Sequence, residues 1–247
     1  MKGAIDALEA DRQALLGICE GLTEAEWKTE SGCAGWSVQD VVAHMGAGFW
    51  VVVDSTKLPD TGELPTEEAQ EVFVEARRSW NPAEVVADYE MVSAEAIDRL
   101  SGLEGRDVEV PLGDFGTYPA SVLPNAFAFD HYTHIRADLF SPRGPLTGEP
   151  PPADELRLVP AIDWIQAALP QQNADLLASL GGTIDLVLDG PGGGTIHLGA
   201  GDVGAEIGSS TPSFIRWITQ RATWEGEGVE ASGDKELLDI ARQLKVF

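Results

Sequence analysis

Five prolines, Pro142, Pro145, Pro150, Pro151 and Pro152, fall in one short stretch and separate two parts of the chain with different apolar patterns. Before them, apolar residues recur at helical spacing; after them, Thr183-Ile184-Asp185-Leu186-Val187-Leu188 alternates as a strand does. Prolines packed this densely neither extend a helix nor donate to a sheet ladder, so the stretch is predicted to link two domains. The expected class is α+β, with a helical bundle over residues 1–145 and a small α/β unit over residues 155–247.

The first part carries strong helix punctuation. Ile5, Leu8, Leu15, Leu16, Cys19 and Leu22 form one apolar stripe, which makes Cys19 a core residue. Thr23 with Glu26, and Ser37 with Asp40, have capping-box spacing, and Asn81-Pro82-Ala83-Glu84 places a cap, a proline and an acid where a helix starts. Residues 54–65 read as a loop, and a polar helix runs from Thr66 to about Arg78. The Asn81 helix ends near Leu100, and residues 106–118 read as extended. Pro119 is expected to start the next long helix, through about Leu139, with Pro124 near its beginning as a possible kink. In the second part, Leu158–Leu177 reads as a helix interrupted by Pro170. Gly190–Gly194 is a turn into the strand Thr195–Leu198. A helix runs from Thr211 to about Arg221, Val229–Ser232 suits a short strand, and Asp234 caps a last helix.

Charge narrows the partners. With 41 acidic and 16 basic residues the net charge is -25, so nucleic acid is repelled and is not expected as a partner. The longest membrane-like apolar run is Phe49–Val53, far short of a bilayer span, and the amino terminus lacks a secretory pattern; the sequence reads as a soluble, cytoplasmic protein with no membrane partner. Two cysteines, Cys19 and Cys33, make neither a disulfide framework nor a zinc knuckle, so a metal site would have to use histidine and carboxylate ligands.

Four histidines are available: His44, His131, His134 and His197. Asp130 and His134 stand one helical turn apart and share a face, and His44 lies at the border of an apolar face on another helix. Facing helices of a bundle commonly hold metals this way, and three protein ligands leave one position open. The residues alone leave alternatives: an Asp130–His134 surface ion pair, or a His131–His134 pair. Asp138 is a further ligand, a group that orients His134, or, as the plainer expectation, a partner of Arg136 or a solvated charge. His197 reads as an ordinary strand residue.

A resemblance sharpens these choices. Leu22-Thr23 with Glu26-Trp27, Cys33-Ala34-Gly35-Trp36-Ser37-Val38-Gln39-Asp40-Val41-Val42-Ala43-His44, Val110-Pro111 with Gly116-Thr117-Tyr118-Pro119, and Phe129-Asp130-His131-Tyr132-Thr133-His134 resemble the mycothiol-dependent maleylpyruvate isomerase family, within the wider DinB-like four-helix bundles. Asp189–Gly194 and Trp217-Ile218-Thr219-Gln220-Arg221 resemble that family's sterol-carrier-like C-terminal domain. The resemblance implies a divalent metal, expected to be zinc, on His44, Asp130 and His134, with Asp130 where the isomerase carries glutamate. It implies mycothiol as thiol cosubstrate, isomerase or transferase chemistry on a small anionic electrophile, and a catalytic Arg221, with Arg216 as runner-up, holding the substrate carboxylate. Cys33 is read as part of a structural turn. The alternative is a non-catalytic metal- or lipid-binding protein using the sterol-carrier-like domain. Either a monomer or a homodimer fits.

Overall fold

The computed structural model describes residues 2–247. Four long helices form a bundle: α1 (Lys2–Gly21), α3 (Val38–Val53), α5 (Pro82–Ser101) and α6 (Leu123–Thr133), with the short α2 (Glu24–Trp27) between the first two. Their inward faces bring Leu8, Leu15, Val41, Met45, Phe49, Tyr89, Leu100 and Leu123 into one buried apolar cluster. The three capping boxes anticipated at Thr23, Ser37 and Asn81 all form. Each satisfies two otherwise orphan backbone donors, which fixes where α2, α3 and α5 begin. Replacing Asn81 by alanine is therefore expected to cost about 1 kcal/mol of stability, read from the denaturant midpoint at unchanged slope.

Between α3 and α5, α4 (Thr66–Glu75) lies over the bundle on a small separate apolar contact of Ala47, Ala69 and Phe73. A hairpin of β1 (Glu109–Pro111) and β2 (Thr117–Pro119) precedes α6. Pro119 closes this hairpin instead of starting the helix; after a single tight turn the α-helix begins at Leu123, with Pro124 in its first turn. At that position proline's missing N–H has no helical partner to lose, so Pro124 starts the helix and does not kink it. Past Thr133 the helix widens into a π turn over His134–Leu139.

The remaining chain adds α7 (Glu155–Gln172), α8 (Ala174–Leu177) and a four-stranded sheet of β3 (Thr183–Asp189), β4 (Gly194–Leu198), β5 (Val203–Ser210) and β6 (Glu230–Gly233), in the order β4-β3-β5-β6. β3 and β5 run parallel, and the other pairs are antiparallel. Helices α9 (Thr211–Ile218) and α11 (Lys235–Ala241) pack on the sheet, and α10 (Trp224–Glu227) caps the end of α9. Ile184, Leu186, Ile207, Phe214, Ile218, Ile165 and Leu169 fill this second core.

Two expectations are corrected here. Pro170 does not interrupt α7, which runs through it to Gln172, where Asn173 takes over the end of the helix. The missing bond falls in the last turn, and the helix is held by burial against α1 and α6 on one side and α9 on the other. β5, a central strand, is absent from the sequence reading because Gly204 and Gly208 break its alternation: only Ala205, Ile207 and Ser209 carry the buried side.

Candidate metal centre

Three elements supply the site, and each is placed by a local cause. His44 lies two turns into α3, whose start is fixed by the Ser37–Asp40 box. Asp130 lies in the last turn of α6 and His134 opens the π turn, so the two stand one turn apart. The loop before α3 lies against that π turn. Gly32 donates its N–H to the Asp138 carbonyl at 2.7 Å, and any Cβ on Gly32 would fall 2.9 Å from the Asp138 Cα. A side chain there would push the loop off the turn. Gly35, at φ 79°, takes the left-handed conformation that brings Trp36 back over Ser31.

The three residues named from the sequence converge. His44 Nε2 lies 3.3 Å from Asp130 Oδ1, and His134 Nε2 lies 3.4 Å from the same oxygen. The two imidazoles meet edge to face with centroids 4.8 Å apart. One ligand atom from each residue lies within 4.8 Å of the other two. An ion bonding nitrogen and oxygen at about 2.0–2.2 Å spans such a set with only small side-chain adjustment.

The donor chemistry also fits. The His134 Nδ1 is 2.9 Å from Asp138 Oδ2, a fully buried carboxylate. That bond holds a proton on Nδ1 and leaves Nε2 to act as the ligand, the outer-shell arrangement typical of metal-bound histidine. The His44 Nδ1 is buried without a partner, so its Nε2 is the nitrogen turned to the polar cluster. Burial on its own raises a carboxyl pKa, yet the His134 and His44 imidazoles hold Asp130 well below the usual range. Burial would lower the His134 pKa, but Asp130 first and then Asp138 raise it well above the ordinary value. The centre is thus a cluster whose carboxylate and imidazoles favour positive charge between them.

Asp138 is anchored from the other half of the chain. Arg221 Nε and Nη2 reach its Oδ2 at 2.9 and 2.7 Å, and Arg143 Nε reaches Oδ1 at 3.1 Å. Arg143 also binds the Gly32 carbonyl. Arg221 is aimed by strained backbone. Gln220 sits at φ 60°, an uncommon value for a side-chain-bearing residue, and the N–H groups of Arg221 and Ala222 both return to the Arg216 carbonyl. Gln220 Nε2 fixes this reversal through the Leu244 carbonyl at 3.2 Å.

A cavity of about 400 Å³ opens onto Asp130 and His134. Trp36, Phe115, Phe129 and Phe247 supply its aromatic wall, and Glu67, Gln70 and Glu71 of α4 line it together with Cys33, Thr133 and Arg221.

Other candidates fall elsewhere. His131 is buried in the bundle, with Nδ1 3.0 Å from the Phe127 carbonyl and 3.6 Å from Asp130 Oδ2 and Nε2 3.1 Å from the Tyr89 hydroxyl, and it does not line the cavity. His197 is an exposed strand residue 2.7 Å from Asp185. Arg216 pairs with Glu227 at 2.6 Å and does not line the cavity. The plainer expectation for Asp138 is overturned: Arg136 binds Asp11 at 2.8 and 3.0 Å, and Asp138 orients His134. Cys33 is more than a turn residue. Its sulfur stands 3.7 Å from the His134 Nδ1, and with His134 and Asp138 it makes a second three-residue group of metal-ligating types. That group is the poorer metal set, because both Asp138 oxygens are already neutralised by guanidinium.

Residues 8–139 match the family described as the mycothiol maleylpyruvate isomerase N-terminal domain. Among solved structures, a crystal structure of the mycothiol-dependent maleylpyruvate isomerase is similar at 17% identity and TM-score 0.60, over 94% of this chain and 93% of that one. A histidine-to-alanine mutant of that enzyme is similar at 17% identity and TM-score 0.58, with the same coverage. The likeness spans the helical and the sheet parts and establishes the α+β fold throughout. A search of curated proteins finds no match. No helix among the described residues is long and apolar enough to cross a membrane.

Proposed function

Since the chain belongs to the mycothiol maleylpyruvate isomerase N-terminal domain family, we propose that it is a metal-dependent enzyme that uses mycothiol in an isomerase or thiol-transferase reaction on a small electrophile. In this reading residues 1–145 form the metal-binding unit and residues 155–247 the sheet-containing unit. The observation that carries it is the meeting of His44, Asp130 and His134 around one point on the wall of a cavity. His44, Asp130 and His134 would hold the ion, zinc being the best match to a two-imidazole, one-carboxylate set with an open position. A bound divalent ion lowers the pKa of a neighbouring thiol, so that thiolate, the reactive nucleophile, persists at neutral pH.

The protein's own groups do the rest. Asp138 keeps the His134 Nδ1 protonated and the ring fixed. Arg221 and Arg143 keep Asp138 ionised and in place. Trp36, Phe115, Phe129 and Phe247 would offer the substrate an apolar wall. A cavity of about 400 Å³ suits a small organic substrate beside the thiol. Addition of the sulfur to an unsaturated carbon, rotation about the resulting single bond and elimination of the same sulfur give isomerisation; addition without elimination gives a conjugate.

The test is to follow disappearance of maleylpyruvate, and of a panel of simple electrophiles, with and without mycothiol, using metal-loaded and chelator-stripped protein. Expected is consumption of at least one electrophile that requires both thiol and ion. Consumption no faster than in protein-free controls, across the whole panel, would sink the proposal.

A further inference from the structure

Two buried polar atoms on residues lining the cavity have no hydrogen-bond partner in the protein: Thr133 Oγ1 and Gln70 Oε1. From them we infer that Thr133 and Gln70 bind an amide of the thiol cosubstrate, so that the cavity prefers thiols built on a cysteinyl unit to thiols of the same size without an N–H donor. The inference rests on the thiol reading above and names the group by which the thiol is recognised.

Thr133 is 3% exposed and is the last residue of α6, three positions after Asp130 and directly before His134. A helical threonine commonly returns its hydroxyl to a carbonyl one turn back. Thr29 and Thr219 do so, at 2.9 Å to the Ala25 carbonyl and 2.7 Å to the Ile215 carbonyl. Thr133 does not, and its hydroxyl is buried and uncommitted beside two of the candidate ligands. Gln70 stands on α4 next to Glu71, which is fixed by Trp36 Nε1 at 2.6 Å and by Arg78 at 2.9 Å. The polar ties of α4 at the cavity run through Glu71, and Gln70 Oε1 is left over. Buried polar groups in folded proteins are paired as a rule, and an unpaired one is costly. A molecule entering the cavity can supply both missing partners.

The two atoms ask for different things. A side-chain carbonyl oxygen only accepts, so Gln70 Oε1 needs an N–H or O–H donor; the Thr133 hydroxyl can donate to a carbonyl. One planar amide offers both, an N–H for Gln70 and a C=O for Thr133. In a thiol built on cysteine an amide lies two carbons from the sulfur. A sulfur beside His44 and His134 therefore brings that amide to the part of the cavity lined by Thr133.

N-acetylcysteamine and mercaptoethyl acetate separate the possibilities. Both are small neutral thiols of one shape, and the amide N–H of the first is an ester oxygen in the second. Calorimetric titration of zinc-loaded protein is expected to show the amide binding about two- to tenfold more tightly, the scale of one neutral hydrogen bond. Gln70→Leu should remove that preference. Thr133→Val should weaken both thiols by a similar factor, because both carry the carbonyl, and Thr133→Ser should restore them. Zinc content and melting temperature should not fall in Thr133→Val, since its methyl replaces a hydroxyl with no partner in the protein. The sulfur-free pair N-ethylacetamide and ethyl acetate keeps the two readings apart. If the thiols bind no better than these, but the amide preference and its loss in Gln70→Leu persist, the thiol reading fails and the amide subsite stands. Equal binding of amide and ester, binding of neither, a preference that survives Gln70→Leu, or a Thr133→Val protein that loses stability or keeps full affinity overturns the inference.

Discussion

Replacing His44 by alanine is expected to strip the protein of its metal while leaving the fold intact. Wild type purified with zinc should carry about one ion per chain and the variant a small fraction of that. Loss of a partner that only orients a ligand typically costs 10–100-fold in metal affinity; loss of a ligand should exceed about 100-fold. Thiol-dependent turnover should fall in proportion, because a cluster reduced to Asp130 and His134 offers two ligands from a single turn of helix. The fold should tolerate the change. The His44 Nδ1 has no hydrogen-bond partner to strand, and α3 is held by Val38, Val41, Val42, Met45 and Phe49. The measurements are metal content by elemental analysis and the melting temperature of the chelator-treated proteins. Equal zinc in the two proteins would remove this site from consideration.

Asp138→Asn is expected to have the largest effect on stability. The carboxylate is fully buried and receives His134, Arg143 and Arg221. The amide keeps the shape but removes the charge, leaving Arg221, itself mostly buried, without compensation. Breaking a buried ion pair by one partner costs about 3–5 kcal/mol. The pH dependence follows from the same contacts. Burial would raise the Asp138 pKa, but the His134 and Arg221 contacts hold it well below the normal carboxylate range. Its contribution is therefore present above the ordinary carboxylate pKa and is lost as pH falls toward its own lowered value. In the variant that acid-side loss should largely vanish. Metal affinity should also fall by about 10–100-fold, since the acceptor of the His134 Nδ1 proton loses its charge and the ring becomes a weaker base. Urea unfolding of metal-free protein across pH, with a competitive metal titration, checks both parts. A stability change below about 1 kcal/mol, the scale of an exposed pair, would mean that Asp138 is not the anchor described here.

The three candidate ligands and their convergence are legible in the sequence because the signals are local: a capping box places His44 on its helix, and Asp130 and His134 are one turn apart. What supports them is not. For Asp138 the sequence offers a role orienting His134 beside the plainer pairing with Arg136 or solvent, but it does not show the anchors: Arg143 five residues on, and Arg221, 83 residues away, which meets it only through the fold. Cys33 was read as part of a turn for a similar reason: its contact with His134 spans 101 residues. Arg221 was picked out by resemblance, but its commitment to Asp138 depends on the left-handed Gln220, and no pattern of residue types announces a positive φ at glutamine. Helix starts followed from side-chain chemistry and were placed well. β5 and the persistence of α7 through Pro170 follow from burial on neighbouring elements, which overrides what glycine and proline prefer by themselves.

The reach of Arg221 across to Asp138 means that this chemistry is not portable. Every proposed ligand sits between positions 44 and 134, so a graft of the helices alone would transplant the whole proposed set. It would also leave behind the guanidinium that keeps the supporting carboxylate charged, and with it the tautomer of one imidazole. The sheet-containing part would therefore act on a bound ion at one remove, and any looseness where it docks against the helices would be felt as a change in how firmly that ion is held.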